Sequence, residues 1–214
     1  IFGMKALNRL RLIDATLPAG YIQHFKGPHF SIEGIRDMMR VHGRPLTGAV
    51  PKPKVGFTAK EHAEIGYETW MGGFDFVKDD ENLTSQSFNR FEDRVRAMTD
   101  MRDRAEQETG EVKSAFINIT ADTETMKARA EMLADYGWNY AMIDVVVAGT
   151  AAGATPRDHC SDPGLAIHAP RATHAALGRG ERHRVTMQVL AELMGVIGGT
   201  QNHTGSAGGK LGGP

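Results

Sequence analysis

"FDFVKDDE", residues 74–81, is the stretch that decides how this chain reads. Phe74, Phe76 and the β-branched Val77 have the composition of a short buried strand, yet the run closes on Lys78, Asp79, Asp80 and Glu81. A lysine followed by three acids is either a solvated turn or a site. Because strand side chains alternate between faces, Lys78 and Asp80 share one face, and Glu81 falls where the chain turns out.

Outward from this strand the chain alternates short apolar runs with amphipathic stretches. "GAVPKPKVG" (48–56) reads as a first strand, followed by a helix that opens on the capping-box pair Thr58 and Glu61 and ends at Gly72 in a left-handed conformation. After 74–81 comes a long helix within 88–109. "SAFINITA" (114–121) is a third strand, with Asp122 or Thr123 opening a helix that Gly137 closes. "NYAMIDVVVAG" (139–149) reads as a fourth, almost uniformly apolar strand, with a helix beginning near Thr155 and Pro156. "GLAIHAP" (164–170) and "QNHTG" (201–205) supply strands five and six, separated by a helix within 183–199. This βα rhythm predicts an α/β fold, a (β/α)8 barrel of which about six of eight units are present. Residues 1–47 read as the end of a preceding domain and the connection into the barrel, and 48–214 as the partial barrel.

Composition narrows the function. The 214 residues are 41% hydrophobic with a formal net charge of −1, so no electrostatic footprint calls for nucleic acid or an acidic membrane surface. No apolar run approaches a membrane span, which needs about 20 residues. One cysteine, Cys160, excludes an internal disulfide framework and fits a reducing cytoplasm. The chain opens on Ile1, in mid-pattern, as a piece of something longer would. No turn carries the G-x-G-x-x-G or P-loop spacing, so a nucleotide fold is disfavoured.

In such a barrel the C-terminal ends of the strands form the active face. They offer Lys52 and Lys54 on strand one, Lys78, Asp80 and Glu81 on strand two, His168 and Arg171 on strand five, and His203 on strand six. Two carboxylates suit a hard cation such as Mg²⁺, which an ammonium would repel. The conflict vanishes if the Lys78 nitrogen carries CO₂ as a carbamate, an anionic oxygen donor. Taken singly, each of these side chains reads as an exposed lysine, a solvated acidic turn or a structural histidine. For His168 and His174 the structural reading is preferred.

The motifs "KPK" (52–54), "GGFDFVKDDEN" (72–82), "NRFEDRV" (89–95), "ETGEVKSAFINITA" (108–121), "RATH" (171–174) and "HTGSAGGKLGG" (203–213) resemble, in order and spacing, the large chain of ribulose-1,5-bisphosphate carboxylase/oxygenase, its archaeal-type (form III) branch above all. The resemblance implies an Mg²⁺-dependent enzyme that carboxylates ribulose 1,5-bisphosphate through an enediol, with O₂ competing for the same enediol. It implies Lys78 as the carbamylated lysine, with Asp80 and Glu81 completing the protein ligands of Mg²⁺. Lys52 becomes a proton donor and acceptor near C2 of the substrate and Lys54 its support. Arg171 and His203 hold a phosphate, and Lys210, on a mobile loop, stabilises the new carboxylate. The family works as a homodimer or higher homo-oligomer, so this segment alone is expected to be inactive.

Pro170 departs from the pattern: "HAPR" stands where the family has His-x-His-Arg, and proline has no proton to exchange. Pro163, Thr173, Gly208 and Gly212 depart as well. Two other readings therefore stand beside the carboxylase: a homologue that enolises or isomerises a sugar phosphate, and an inactive remnant.

Overall fold

The computed structural model describes residues 2–159 and 164–205. In chain order the elements are β1 (Arg11–Leu12), α1 (Ala19–Ile22), α2 (Ile32–Met39), β2 (Gly48–Ala49), α3 (Ala59–Met71), β3 (Phe76–Lys78), α4 (Phe91–Thr109), β4 (Ser114–Phe116), α5 (Thr123–Asp135), β5 (Tyr140–Met142), α6 (Val145–Ala148), α7 (Thr150–His159), β6 (Ala166–Ala169), α8 (His174–Gly178), β7 (Arg184–Val185), α9 (Met187–Val196) and β8 (Gly199–Asn202).

Strands β2, β3 and β4 form one parallel sheet and β5, β6 and β8 another. A parallel bridge between Asn118 and Met142 joins them, with the Ile119 amide donating to Met142 O at 3.0 Å and the Met142 amide to Ile117 O at 2.9 Å. Six parallel strands thus follow one another in sequence order, the wall of an α/β barrel. β1 and β7 form a separate parallel pair.

The alternation of side chains sorts the core into two layers. Val77, Ala115, Ile117, Ala141, Ile143, Ile167 and Ala169 pack outward against α3, α4, α5 and α9 through Ala63, Trp70, Val95, Met98, Met126 and Met194. Phe76, Phe116, Tyr140, Met142 and Ala166 point the other way and pack on Ile35 and Met39 of α2. Phe76 and Phe116 stack at 4.5 Å, with the Tyr140 ring edge-on to both. The interior is thus plugged from one end by aromatic rings, and Lys78, Asp80, Asn118 and Asp144 continue the inward face toward the other.

Local signals behave as their chemistry requires. Thr58 and Glu61 make the reciprocal capping box, and Asp122 caps α5 by accepting from the Thr125 amide. Gly72 closes α3, but with φ −72; Gly73, at φ +90, makes the left-handed turn one residue later than expected. Strand five of the sequence reading is confirmed as β6, while the sixth strand begins two residues earlier than read, at Gly199. Several expectations fail: the runs 48–56 and 114–121 are strand only through Ala49 and Phe116, so Lys52 and Lys54 lie beyond β2. The run 139–149 is strand only through Met142, because the chain leaves the sheet at Asp144, whose carbonyl accepts from the Val147 and Ala148 amides to start the single-turn helix α6. And α7 begins at Thr150, so Pro156 lies inside it rather than in a first turn. Cys160 and Pro163 fall outside the described residues, as do Gly208, Lys210 and Gly212.

Candidate active site at the strand ends

The exit of β3 places Lys78 only 6% exposed, its Nζ donating to Glu81 Oε1 at 2.6 Å and to the Asp79 carbonyl at 2.9 Å. Asp80, on the same inward face, accepts from the Asn82 amide at 3.1 Å, from Asn82 Nδ2 at 2.7 Å and from Lys52 Nζ at 3.3 Å. Burial raises the pKa of Asp80, but the Asn82 donors and Lys52 outweigh it, so the group stays below the usual carboxylate range. Lys54 is exposed and acts on Asp80 through its charge. Lys52 lies beyond the end of β2, in a bend rather than in a strand, and its head group reaches Asp80 from solvent.

Between the two inward side chains stands Asp79, which points out of the barrel and is 1% exposed. It accepts from His62 Nε2 of α3, Arg94 Nε of α4 and the Asn118 amide after β4, each at 3.0 Å. Burial opposes its charge, yet the Arg94 guanidinium and the His62 hydrogen bond overcome that and hold its pKa at about 2.

Strands β5, β6 and β8 add further groups. Asp144 follows β5 by two residues on the inward face, 2% exposed, with its amide donating to Thr120 Oγ1 at 2.9 Å and its Oδ1 unpartnered. Burial, reinforced by the charge of Glu81, pushes its pKa up to about 7. His168 is buried, its ring stacked on Phe116 at 4.1 Å, and neither ring nitrogen has a partner. Burial, then Lys78 and His203, depress its pKa to about 3, so the imidazole is neutral. His203 sits at the exposed rim with its amide on Ala169 O at 3.0 Å, and burial followed by the nearby Arg171 charge lowers its pKa. Arg171 follows β6, its carbonyl accepting from the amide and ring of His174. Pro170 is buried at the same strand exit.

The structure therefore brings together two contacting pairs, Lys78 with Glu81 and Lys52 with Asp80, with Lys54 within electrostatic reach of Asp80, His203 within reach of Lys78 and Glu81, and Arg171 within reach of His203. Sequence reasoning missed Asp144, Asn118, Asp79, His62 and Arg94. Asp144 had a signal, the one charge in an otherwise apolar run at the inward register of Tyr140 and Met142. Among the described residues no three His, Cys, Asp or Glu side chains gather as a metal cluster. At the opposite end of β3, a cleft lined by Arg40, Arg44, Asp75 and Glu111 is closed by a two-point Arg44–Asp75 pair at 2.7 Å and holds none of these groups.

A family model described as "Ribulose bisphosphate carboxylase large chain, catalytic domain" matches residues 31–214. The chain belongs to the ribulose bisphosphate carboxylase large-chain family. It is 55% identical over 213 residues to a ribulose bisphosphate carboxylase of Pyrococcus horikoshii, covering 100% of this chain and 50% of that protein. A Methanocaldococcus jannaschii carboxylase is 48% identical over 211 residues, 99% of this chain and 49% of that one. Among solved structures, the octameric Pyrococcus horikoshii enzyme with sulfate superposes with TM-score 0.94 at 55% identity, over 99% of this chain and 50% of that one. The dimeric archaeal enzyme of Hyperthermus butylicus gives 0.91 at 43%, over 95% and 48%. The chain thus spans about half the length of the carboxylases it matches. Those relatives are archaeal, in keeping with the archaeal-type resemblance. No helix among the described residues is long and apolar enough to cross a membrane.

Proposed function

We propose that the full-length protein carrying this chain is a cytoplasmic, homo-oligomeric ribulose-1,5-bisphosphate carboxylase, in which residues 1–47 lead into the catalytic barrel. The observation that carries this reading is the convergence of Lys78, Asp80 and Glu81 at one strand exit with Lys52 seated on Asp80. The donor set fits Mg²⁺ on one condition. Asp80 and Glu81 supply hard oxygen but only two carboxylates, and the ammonium of Lys78 lies 2.6 Å from Glu81. Once the Lys78 ammonium gives up a proton to solvent, its amine nitrogen can bond CO₂ and, releasing a second proton, become a carbamate, a third anionic oxygen donor that would remove the repulsion and complete the set.

When bound, the carbamate and Mg²⁺ supply a base and a Lewis acid for making the enediol that takes up CO₂ or, in competition, O₂. Lys52 holds a proton near C2 of the substrate, and its contact with Asp80 places that proton beside the metal ligands. Lys54 adds a smaller positive contribution beside the Asn82 hydrogen bonds and Lys52 that keep Asp80 ionised. Arg171 as a cation and His203 as a neutral ring N–H donor, at the exits of β6 and β8, are assigned to one substrate phosphate. Lys210, outside the described residues, is assigned the covering and stabilising role.

Pro170 favours a second reading, an enolising homologue or an inactive copy, because the buried exit of β6 offers no titratable side chain there. The test is conversion of ribulose 1,5-bisphosphate and ¹⁴CO₂ to labelled 3-phosphoglycerate with Mg²⁺, using the full-length protein and its Pro170→His variant. Labelled product from either form supports the carboxylase, and product from the variant alone marks Pro170 as a lesion. Two folded oligomers that both make none transfer the assignment to the second reading.

A further inference from the structure

Outward positions of this barrel wall are apolar: Val77, Ala115, Ile117, Ala141 and Ile143 all pack on helices. Asp79 breaks that rule. A buried ion pair at such a position is no better for stability than a hydrophobic residue of the same size, and in known cases it sets which conformation the chain adopts. Its connections show what it fixes here. His62 and Arg94 bring α3 and α4 onto the residue lying between Lys78 and Asp80. The remaining guanidinium nitrogens of Arg94 donate to Thr84 O at 2.8 Å, Asn89 Oδ1 at 3.0 Å and Asn89 O at 3.3 Å, pinning the loop that follows Glu81. Asn89 in turn donates to Phe57 O at 3.0 Å, at the entrance to α3. Asn118, whose amide serves Asp79, gives its side-chain Nδ2 to the carbonyl of Glu81 at 3.2 Å. One network therefore holds the chain at Asp79, between Lys78 and Asp80, at the Glu81 carbonyl and at Thr84 just beyond it.

We propose that His62 and Arg94 are positioning residues for the metal-binding strand end, acting through Asp79 to fix the directions of Lys78, Asp80 and Glu81 before any ligand arrives. The proposal rests on the carboxylase reading of that site. Both are buried among helices on the outer side of the strand, His62 at 3% and Arg94 at 0% exposure, and reach the site only through Asp79 and the loop after Glu81. Partners that orient metal ligands are worth about 10–100-fold in metal affinity.

The experiment uses the full-length protein without ribulose bisphosphate. It measures the Mg²⁺ concentration at half-maximal retention of ¹⁴CO₂, with circular dichroism and sedimentation reporting fold and assembly. His62→Leu removes the hydrogen bond to Asp79, and His62→Gln puts an amide N–H where the ring Nε2 stands. The proposal predicts that Leu raises the half-saturating Mg²⁺ by about 10–100-fold and that Gln recovers most of the loss, a rescue that a packing role would not give. If Leu does not fold, His62→Asn, too short to reach Asp79 Oδ1, carries the same prediction. Parental Mg²⁺ half-saturation in a folded Leu or Asn variant overturns the proposal, as does equal impairment of Leu and Gln. A parent that retains no CO₂ overturns the carboxylase reading and this proposal with it, whereas a parent that retains it while the variants match it leaves that reading standing.

Discussion

Replacing Arg94 with methionine isolates the energetic role of the Asp79 network. The guanidinium is fully buried and is the largest favourable influence on the Asp79 charge. In the folded chain Asp79 titrates at about 2 rather than 3.8, which at about 1.4 kcal/mol per decade makes its ionised form worth about 2 kcal/mol of stability. The folded pKa is depressed, so that stability is fully present above pH 3.8 and is lost as pH falls toward 2. Without Arg94 the carboxylate is buried with only His62 and an amide, a situation that costs about 3–5 kcal/mol at neutral pH. Urea unfolding of the full-length protein should show a deficit of that size at pH 7. The deficit should shrink by about 2 kcal/mol near pH 3, where Asp79 can be carried neutral in the variant. Adding Asp79→Asn to Arg94→Met should recover about 2 kcal/mol at pH 7, since it removes the orphaned charge. A deficit below about 1 kcal/mol, or one that does not change with pH, would refute the reasoning.

Further predictions follow from other parts of the molecule. Asp144 has a raised folded pKa, about 7, so its ionisation costs stability increasingly from pH 3.8 up to 7. In metal-free protein Asp144→Asn should stabilise at pH 8 by up to about 4 kcal/mol and change nothing below pH 3.8, read from urea midpoints. On the carboxylase reading, Lys52→Met in the full-length protein should lower turnover of ribulose 1,5-bisphosphate by about 10²–10⁴-fold, the usual worth of a general acid–base group, measured by product release under saturating substrate. Gly66 lets α3 approach α4, since a Cβ there would lie 3.1 Å from Met98 Sδ. Gly66→Leu should therefore cost about 1–3 kcal/mol by overpacking, and Met98→Ala should relieve part of that cost in the double variant.

The strand–helix rhythm was legible because the parallel strands of a barrel wall are short, apolar and separated by capped helices. Thr58, Glu61, Asp122 and Gly137 act locally, and their effects can be read from spacing alone. The strand-end cluster was legible for the same reason: Lys78, Asp80 and Glu81 are neighbours in sequence, and alternation fixes their faces. What escaped depends on distant partners. Asp79 pairs with groups 15, 17 and 39 positions away, and no periodicity links it to Arg94, His62 or Asn118. Val145–Val147 read as strand because β-branched residues favour strands, but the tie of the Asp144 amide to Thr120 ends the ladder first. Pro156 was placed in a first turn on propensity, whereas α7 runs through it.

The measurement that bears most directly on the central claim is the stoichiometry of ¹⁴CO₂ held by the full-length protein in Mg²⁺, beside a Lys78→Arg variant. The account predicts one CO₂ per chain, released by chelation of Mg²⁺, and none in the variant, because a guanidinium cannot form the carbamate. Label retained equally by the variant, or by neither protein although both fold and assemble, would contradict it.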